Sequence, residues 1–327
     1  MGVGIVGTGS YLPQTVLDNA ELAARIDVDI DQIVEKTGIH ERRIAAPADA
    51  TSDLAAWAGK RALHSAGIAA NDLDVVILAT GTADQPSPAT ACYVQAKLCA
   101  AKAVAFDVMA TCSGFIYGLT IARDMLIADR SRKYVLVVGA EAYSRFVDYT
   151  RKGASALLGD GAGAVVVGRT DSGGILASRL MTDGTLAYLG GILGGGSRNP
   201  ASPSTLSSGL HHVSMNGRLI RDLVANLLPG LVTELTDQLA ITLSDVDLIV
   251  PHQANGTMLK EWVQILDIDP AITHETVSKY GNTGAASIPV TLDDAVQRGR
   301  LSSGDRLLSI SFGAGVAWGG VIVEWTQ

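Results

Sequence analysis

Cys112, His252 and Asn282 are the residues of this chain whose type and setting could do covalent chemistry. Cys112 lies in Met109-Ala110-Thr111-Cys112-Ser113-Gly114-Phe115. The run Ala103 to Met109 before it reads as a buried strand, and an apolar stretch of helical length, Phe115 to Leu126, follows the small-residue corner. A cysteine where a strand turns into a helix meets unpaired backbone N–H groups and the positive end of a helix dipole, which favour a thiolate. The stretch alone fits a small buried thiol with no chemical role equally well, since free Cys is among the most buried residue types. His252, in Pro251-His252-Gln253-Ala254-Asn255, directly follows an apolar strand over 247–250. That puts it at a strand's carboxyl end, where α/β folds keep their sites. Asn282 sits in Gly281-Asn282-Thr283-Gly284, a composition that also suits a plain turn.

The elements that must position these residues come in two sets. Asn71-Asp72-Leu73-Asp74-Val75-Val76-Ile77-Leu78 is echoed by Ser244-Asp245-Val246-Asp247-Leu248-Ile249-Val250, an offset of 173 residues (245 − 72). Arg132 to Gly139 is echoed by Gly304 to Ile310 at nearly the same offset. Two echoes at one spacing indicate a duplicated unit of about half the chain. Each unit alternates helices with near-continuous apolar strands, the pattern of an α/β fold with parallel or mixed sheets covered on both faces. The join is expected near 169–174, giving halves of 1–170 and 171–327. Adding the offset to Cys112 lands on Ala285, inside Tyr280 to Ser287. Each half therefore places a polar, Gly-containing corner at the same point, and in a pseudo-symmetric pair those corners can face each other.

Other motifs are weaker. Val3 to Gly9 is a strand running into a Gly turn, but Leu12 stands where a dinucleotide fingerprint needs its third Gly. The glycines of Gly159-Asp160-Gly161-Ala162-Gly163-Ala164 precede a strand rather than open a helix, so a P-loop is excluded. Residues 18–37 read as a helix ending at Thr37-Gly38, and 52–66 as a second, capped by Ser52 or Thr51 with Gly67 beyond its end. With 33 acidic and 25 basic residues and no basic block, the net charge of −8 argues against nucleic acid as a partner. No apolar run has the length of a transmembrane helix, and the N-terminus lacks a signal-peptide pattern. Three cysteines, an odd and low count, suit a reducing cytoplasm. Cys92 and Cys99, seven apart on one helical face, are expected to fill the core, with no metal-ligand spacing around them.

On these landmarks the chain resembles, nearly end to end, the ketoacyl synthase III family of the thiolase superfamily. The motifs are Thr37-Gly38-Ile39 with Glu41-Arg42, Ala110 to Phe115, Gly159 to Ala164, Pro251 to Asn255, Gly281 to Ser287, and Phe312-Gly313-Ala314-Gly315. The resemblance implies the five-layered αβαβα thiolase fold, a homodimer and a Cys112-His252-Asn282 catalytic set. It also implies an acyl group parked on Cys112, with an oxyanion hole from the N–H of Cys112 and one from the Gly313-Ala314-Gly315 turn. Malonyl on an acyl carrier protein would then lose CO₂, and His252 and Asn282 would donate to the enolate that attacks the acyl-Cys. True thiolases use a second cysteine as base, and none follows Cys112 here.

Several positions depart from the family pattern. Gln32 replaces a Trp that stacks on adenine, Thr257 an arginine, and Gln264 and Ile265 a basic pair. Ser87 takes the place of a bulky aromatic that narrows the acyl pocket from the partner subunit, while Phe115 and Phe312 remain as pocket candidates. Lys36, Arg151 and Lys152 are left as phosphate or pantetheine contacts. Losing the ring and the cations removes interactions worth roughly a kcal/mol each. The expectation is no bound cofactor or metal, substrates carried on phosphopantetheine, and a carrier-protein donor favoured over coenzyme A. That profile suits a polyketide or antibiotic pathway. Two alternatives stay open: transfer of the acyl group from Cys112 to a carrier, amine or alcohol without decarboxylation, and a non-catalytic docking role.

Overall fold

Apolar strands of the kind found here need cover on both faces, and the order of strands and helices provides it. The computed structural model describes residues 2–26 and 28–327. Its first sheet contains β1 (Gly2–Tyr11), β2 (Val75–Ala79), β3 (Val104–Val108), β4 (Tyr134–Glu141) and β5 (Gly161–Thr170), in the order β1-β5-β4-β2-β3. β1, β5 and β4 pair antiparallel, and β4, β2 and β3 parallel. The second sheet contains β6 (Gly174–Thr182), β7 (Leu248–Ile249), β8 (Arg306–Gly313) and β9 (Ala317–Glu324), in the order β6-β9-β8-β7. It repeats the same alternation, antiparallel for β6, β9 and β8 and parallel for β8 and β7. A parallel bridge from Ile249 to Thr273 stands where the fifth strand would be.

Helices fill three layers around these sheets. α3 (Thr51–Ala66) and α4 (Thr90–Leu98) pack on the outer face of the first sheet. α6 (Gly217–Asp237) and α7 (Gly256–Leu266) cover the outer face of the second. α5 (Gly114–Ala128) and α8 (Ser287–Gln297) lie between the sheets, in a core built from Val75, Ile77, Phe115, Ile116, Ile288 and Leu292. α5 and α8 start 173 residues apart (287 − 114), each after a single 3-10 turn, Thr111–Ser113 and Gly284–Ala286. This is the five-layered αβαβα arrangement of the thiolase fold.

Three expectations need correction. Residues 18–37 form two helices, α1 (Asn19–Ile26) and α2 (Ile30–Thr37), because the Asp29 carboxylate accepts the Asp31 N–H at 2.9 Å and starts a new helix. The strand before Cys112 is not buried. β3 is the sheet edge, Val104 is 58% exposed and Met109 beyond it 74%. Cys92 and Cys99 are exposed rather than core residues. The helix α4 buries Ala91, Val94 and Leu98 and leaves Cys92 exposed, while Cys99 lies past its end as a left-handed cap with φ 59.

The first sheet and the central helix layer meet closely at Gly139 in β4. A Cβ there would lie 2.1 Å from the carbonyl oxygen of Ala285, in the turn that opens α8. A backbone atom cannot give way as a side chain can. Gly139→Ala is therefore expected to lower unfolding stability by about 1–3 kcal/mol, the usual cost of overpacking, as read from urea denaturation. An unchanged midpoint would mean that the β4 contact does not hold this turn.

Candidate active site

Cys112 occupies the middle of the 3-10 turn between β3 and α5. The residue before it, Thr111, has φ 47, left-handed backbone that a β-branched side chain adopts only under constraint. The constraint comes from the second half of the chain. Thr111 Oγ1 donates to the Ala314 carbonyl at 2.9 Å, and Ser113 Oγ to the Ala317 carbonyl at 2.8 Å. Ser311 Oγ donates back to the Cys112 carbonyl at 2.9 Å. The β8–β9 hairpin thus holds the cysteine corner by three hydroxyl–carbonyl bonds.

His252 is brought to the same place by β7. The parallel ladder continues past it, Val250 N–H to Leu308 O and His252 N–H to Ile310 O, one residue before Ser311. The imidazole is buried, and its Nδ1 lies 2.7 Å from Ser287 Oγ at the start of α8. That hydroxyl also accepts the Gln253 N–H at 3.3 Å. Burial pushes the His252 pKa down to about 3, so the ring is neutral at any working pH. Asn282 is tied by its backbone to Leu157 and Gly159. Its Oδ1 accepts the Gly284 N–H at 2.9 Å, which leaves the Nδ2 donors free. Gly284 must be a glycine: its φ is 53, and a Cβ would lie 2.6 Å from the Tyr143 ring. The 284–286 turn packs directly on the 111–113 turn, so the structure gathers Cys112, His252 and Asn282 at one junction of the two sheets.

The electrostatics differ from the thiolate expected of a helix start. Burial pushes the Cys112 thiol up to about 12, and the nearby Glu141 carboxylate adds to the rise. The backbone N–H groups of Cys112 and Ala314 act in the opposite direction and are outweighed. Those two N–H groups are the ones expected to form an oxyanion hole. Glu141 closes β4, fully buried, and sequence reasoning missed it because a glutamate at a strand end looks like any surface residue.

The remaining candidates separate. Lys36 and Lys152 line one cavity of about 550 Å³, with Gln32, Thr257, Arg218 and Arg221 on its wall and Ile33, Leu157 and Met258 behind them. Arg151 faces a neighbouring cavity that also includes Lys152. Thr257 Oγ1 donates to the Lys36 carbonyl at 3.1 Å, joining α7 to α2. Arg218 and Arg221, unnoticed in the sequence, come from α6, and Arg221 pairs with Glu261. Phe115 is buried in the core between the sheets, and Phe312 packs edge-on against Trp262 with ring centroids 5.6 Å apart. Ser87 lies exposed in the 83–89 loop.

The 3-oxoacyl-[acyl-carrier-protein (ACP)] synthase III model matches residues 106–184, and the model of that family's C-terminal region matches 236–325. The beta-ketoacyl-[acyl-carrier-protein] synthase III of Caldanaerobacter subterraneus subsp. tengcongensis is 42% identical over 328 residues, covering 100% of this chain and 99% of that one. The acetoacetyl CoA synthase NphT7 of Streptomyces sp. strain CL190 is 43% identical over 324 residues, covering 98% of each. Among solved structures, 3-oxoacyl-[acyl-carrier-protein] synthase III of Aquifex aeolicus VF5 superposes with a TM-score of 0.91 at 38% identity, over 99% of this chain and 100% of that one. The priming β-ketosynthase of the R1128 polyketide pathway gives a TM-score of 0.92 at 29% identity, over 100% and 97%. The cysteine corner, the fold that holds it and these likenesses agree: the chain belongs to the ketoacyl synthase III family of the thiolase superfamily.

Proposed function

We propose that this protein acylates Cys112 from an acyl thioester and then condenses that acyl group with a malonyl thioester, releasing CO₂. In the first step Cys112 Sγ attacks the thioester carbonyl, and the oxyanion faces the N–H groups of Cys112 and Ala314. The thiol is protonated at rest, so its proton must leave as the C–S bond forms. It ends on the departing pantetheine sulfur as that C–S bond breaks, so the proton balance closes without an outside base. In the second step the malonyl C–C bond breaks and its electrons move onto the thioester oxygen. His252 Nε2–H and Asn282 Nδ2–H stabilise that enolate, its carbon attacks the acyl-Cys, and a solvent proton restores the thiol. The Ser287 hydroxyl, 2.7 Å from His252 Nδ1, serves as donor to that nitrogen and so keeps the ring proton on Nε2, where the enolate needs it.

The observation that carries this reading is the pair of neutral donors: an imidazole kept uncharged by burial and an amide whose oxygen is already engaged. Neither is a base, and decarboxylation needs none. The cavity ringed by Lys36, Lys152, Arg218 and Arg221 is the proposed entry for a phosphopantetheine-borne substrate, on acyl carrier protein or coenzyme A. Arg218 of α6 adds a cation that partly offsets the loss at Thr257, Gln264 and Ile265, while Arg221 is already paired with Glu261. No bound cofactor is part of this scheme. We place the boundary between the two halves at 170/171.

The exposed apolar edge at β3 is the proposed seat of a homodimer, a second copy extending the first sheet and bringing its Ser87 loop toward the acyl pocket. Light scattering should return twice the mass of the 33.9 kDa chain, and Val104→Asp should return the single mass. A wild-type monomer would remove this interface.

Asn282→Ala separates the two half-reactions. Intact-mass spectra should show Cys112 acylated nearly as fast as in wild type, while CO₂ release from malonyl-carrier protein falls about 100-fold or more. Equal loss in both halves would make Asn282 a structural residue of the corner. An undiminished CO₂ release would end its role as an enolate donor.

A further inference from the structure

Glu141 is a fully buried carboxylate that the scheme above does not use. It ends the central strand of the first sheet, and donors from two other segments converge on it. The Gly81 N–H lies 3.0 Å from Oε1 and 3.1 Å from Oε2. Thr82 Oγ1 donates to Oε2 at 2.6 Å and Thr80 Oγ1 at 3.3 Å. The Ala285 N–H approaches Oε1 at 3.4 Å. The two hydroxyls are themselves held as donors, because Thr82 Oγ1 accepts the Ala142 N–H at 2.9 Å and Thr80 Oγ1 the Thr82 N–H at 3.0 Å. Such a socket of donors is built for an acceptor without a hydrogen, the ionised carboxylate.

The carboxylate also touches the catalytic turn. A Cβ on Gly284 would lie 3.0 Å from Glu141 Cγ, so the residue whose N–H orients Asn282 rests against the Glu141 stem. Two titratable groups face it: Cys112, whose thiol its charge pushes up, and Tyr143, whose phenol is raised by burial and by both acids. Burial works against the socket and pushes Glu141 itself up to about 7.

We propose that Glu141 is a positioning residue for the condensation: its carboxylate clamps the 80–82 turn to the 284–285 turn and so fixes the Asn282 amide, with its charge facing Cys112. This rests on the condensation reading given above. Loss of a glutamate that only supports the fold would weaken both half-reactions alike, whereas loss of the clamp on Asn282 spares acylation; the charge is read separately, since a negative charge beside a thiol disfavours the thiolate through space.

Glu141→Gln tests both at nearly constant shape. Iodoacetamide labelling of Cys112, followed across pH by peptide mass spectrometry so that exposed Cys92 and Cys99 are read separately, should move its midpoint down by about one pH unit. Cys112 acylation should persist while CO₂ release from malonyl-carrier protein drops at least tenfold. An unmoved labelling midpoint, or a drop in both half-reactions alike, overturns the proposal. Wild type run in parallel keeps the two claims apart: no CO₂ from wild type defeats the condensation reading, while the labelling midpoint still judges Glu141. Should Glu141→Gln fail to fold, Thr82→Val removes the 2.6 Å donor and is expected to lower the ratio of CO₂ release to acylation. An unchanged ratio there overturns the clamp.

Discussion

The stitching of the Thr111-Cys112-Ser113 turn to the β8–β9 hairpin is the constraint on which the site depends. A left-handed threonine costs about 1–3 kcal/mol. Three hydroxyl–carbonyl bonds, each contributing about 0.5–1.5 kcal/mol net, are enough to offset it. All three cross from one half of the chain to the other, at Ala314, Ala317 and Ser311. The nucleophile is therefore not a property of its own strand and helix. Its backbone takes this shape because the second sheet lies against it, and the second sheet is held there by the shared core of α5 and α8.

The same packing decides the charges. A helix start and two N–H groups favour a thiolate at Cys112, yet burial and the Glu141 carboxylate outweigh them and leave a thiol. Burial likewise strips the proton from His252. The result is a corner with a neutral thiol, a neutral imidazole and an amide beside one buried acid. Such a site stabilises negative charge mainly where it develops, on the oxygen of a tetrahedral adduct or an enolate, without a standing cation to hold substrate carboxylate in the ground state.

Much of this was legible from residue order. The offset of 173 that joins Asp72 to Asp245 also separates the starts of α5 and α8, and it places Cys112 and Ala285 at the middle of matching 3-10 turns. Apolar periodicity and small-residue corners carry that information because duplication preserves both. What the chain order hid depends on neighbours distant in sequence. Ala103 to Met109 has the composition of a central strand, and only the sheet order makes β3 an edge. Cys92 lies on the helix but Cys99 is its left-handed cap, so their spacing of seven does not put them on one helical face, and periodicity does not say which face turns inward. The thiol at Cys112 reflects a balance of local dipole against tertiary burial, and only the first is readable locally. Arg218 and Arg221 reach the cavity of Lys36 and Lys152 from a helix with no motif of its own, and Glu141 acquires meaning only when the 80–82 and 284–285 turns close on it.

The central claim is that the acyl group leaves Cys112 for a carbon nucleophile made by decarboxylation. It is tested most directly in a single turnover: wild-type enzyme is acylated, freed of donor, and mixed with malonyl-carrier protein labelled with carbon-13 in its free carboxyl. The account predicts one labelled CO₂ for each acyl group lost from Cys112, with a carrier-bound 3-oxoacyl product that holds no label. Loss of the acyl group to a carrier, amine or alcohol without labelled CO₂ would contradict it.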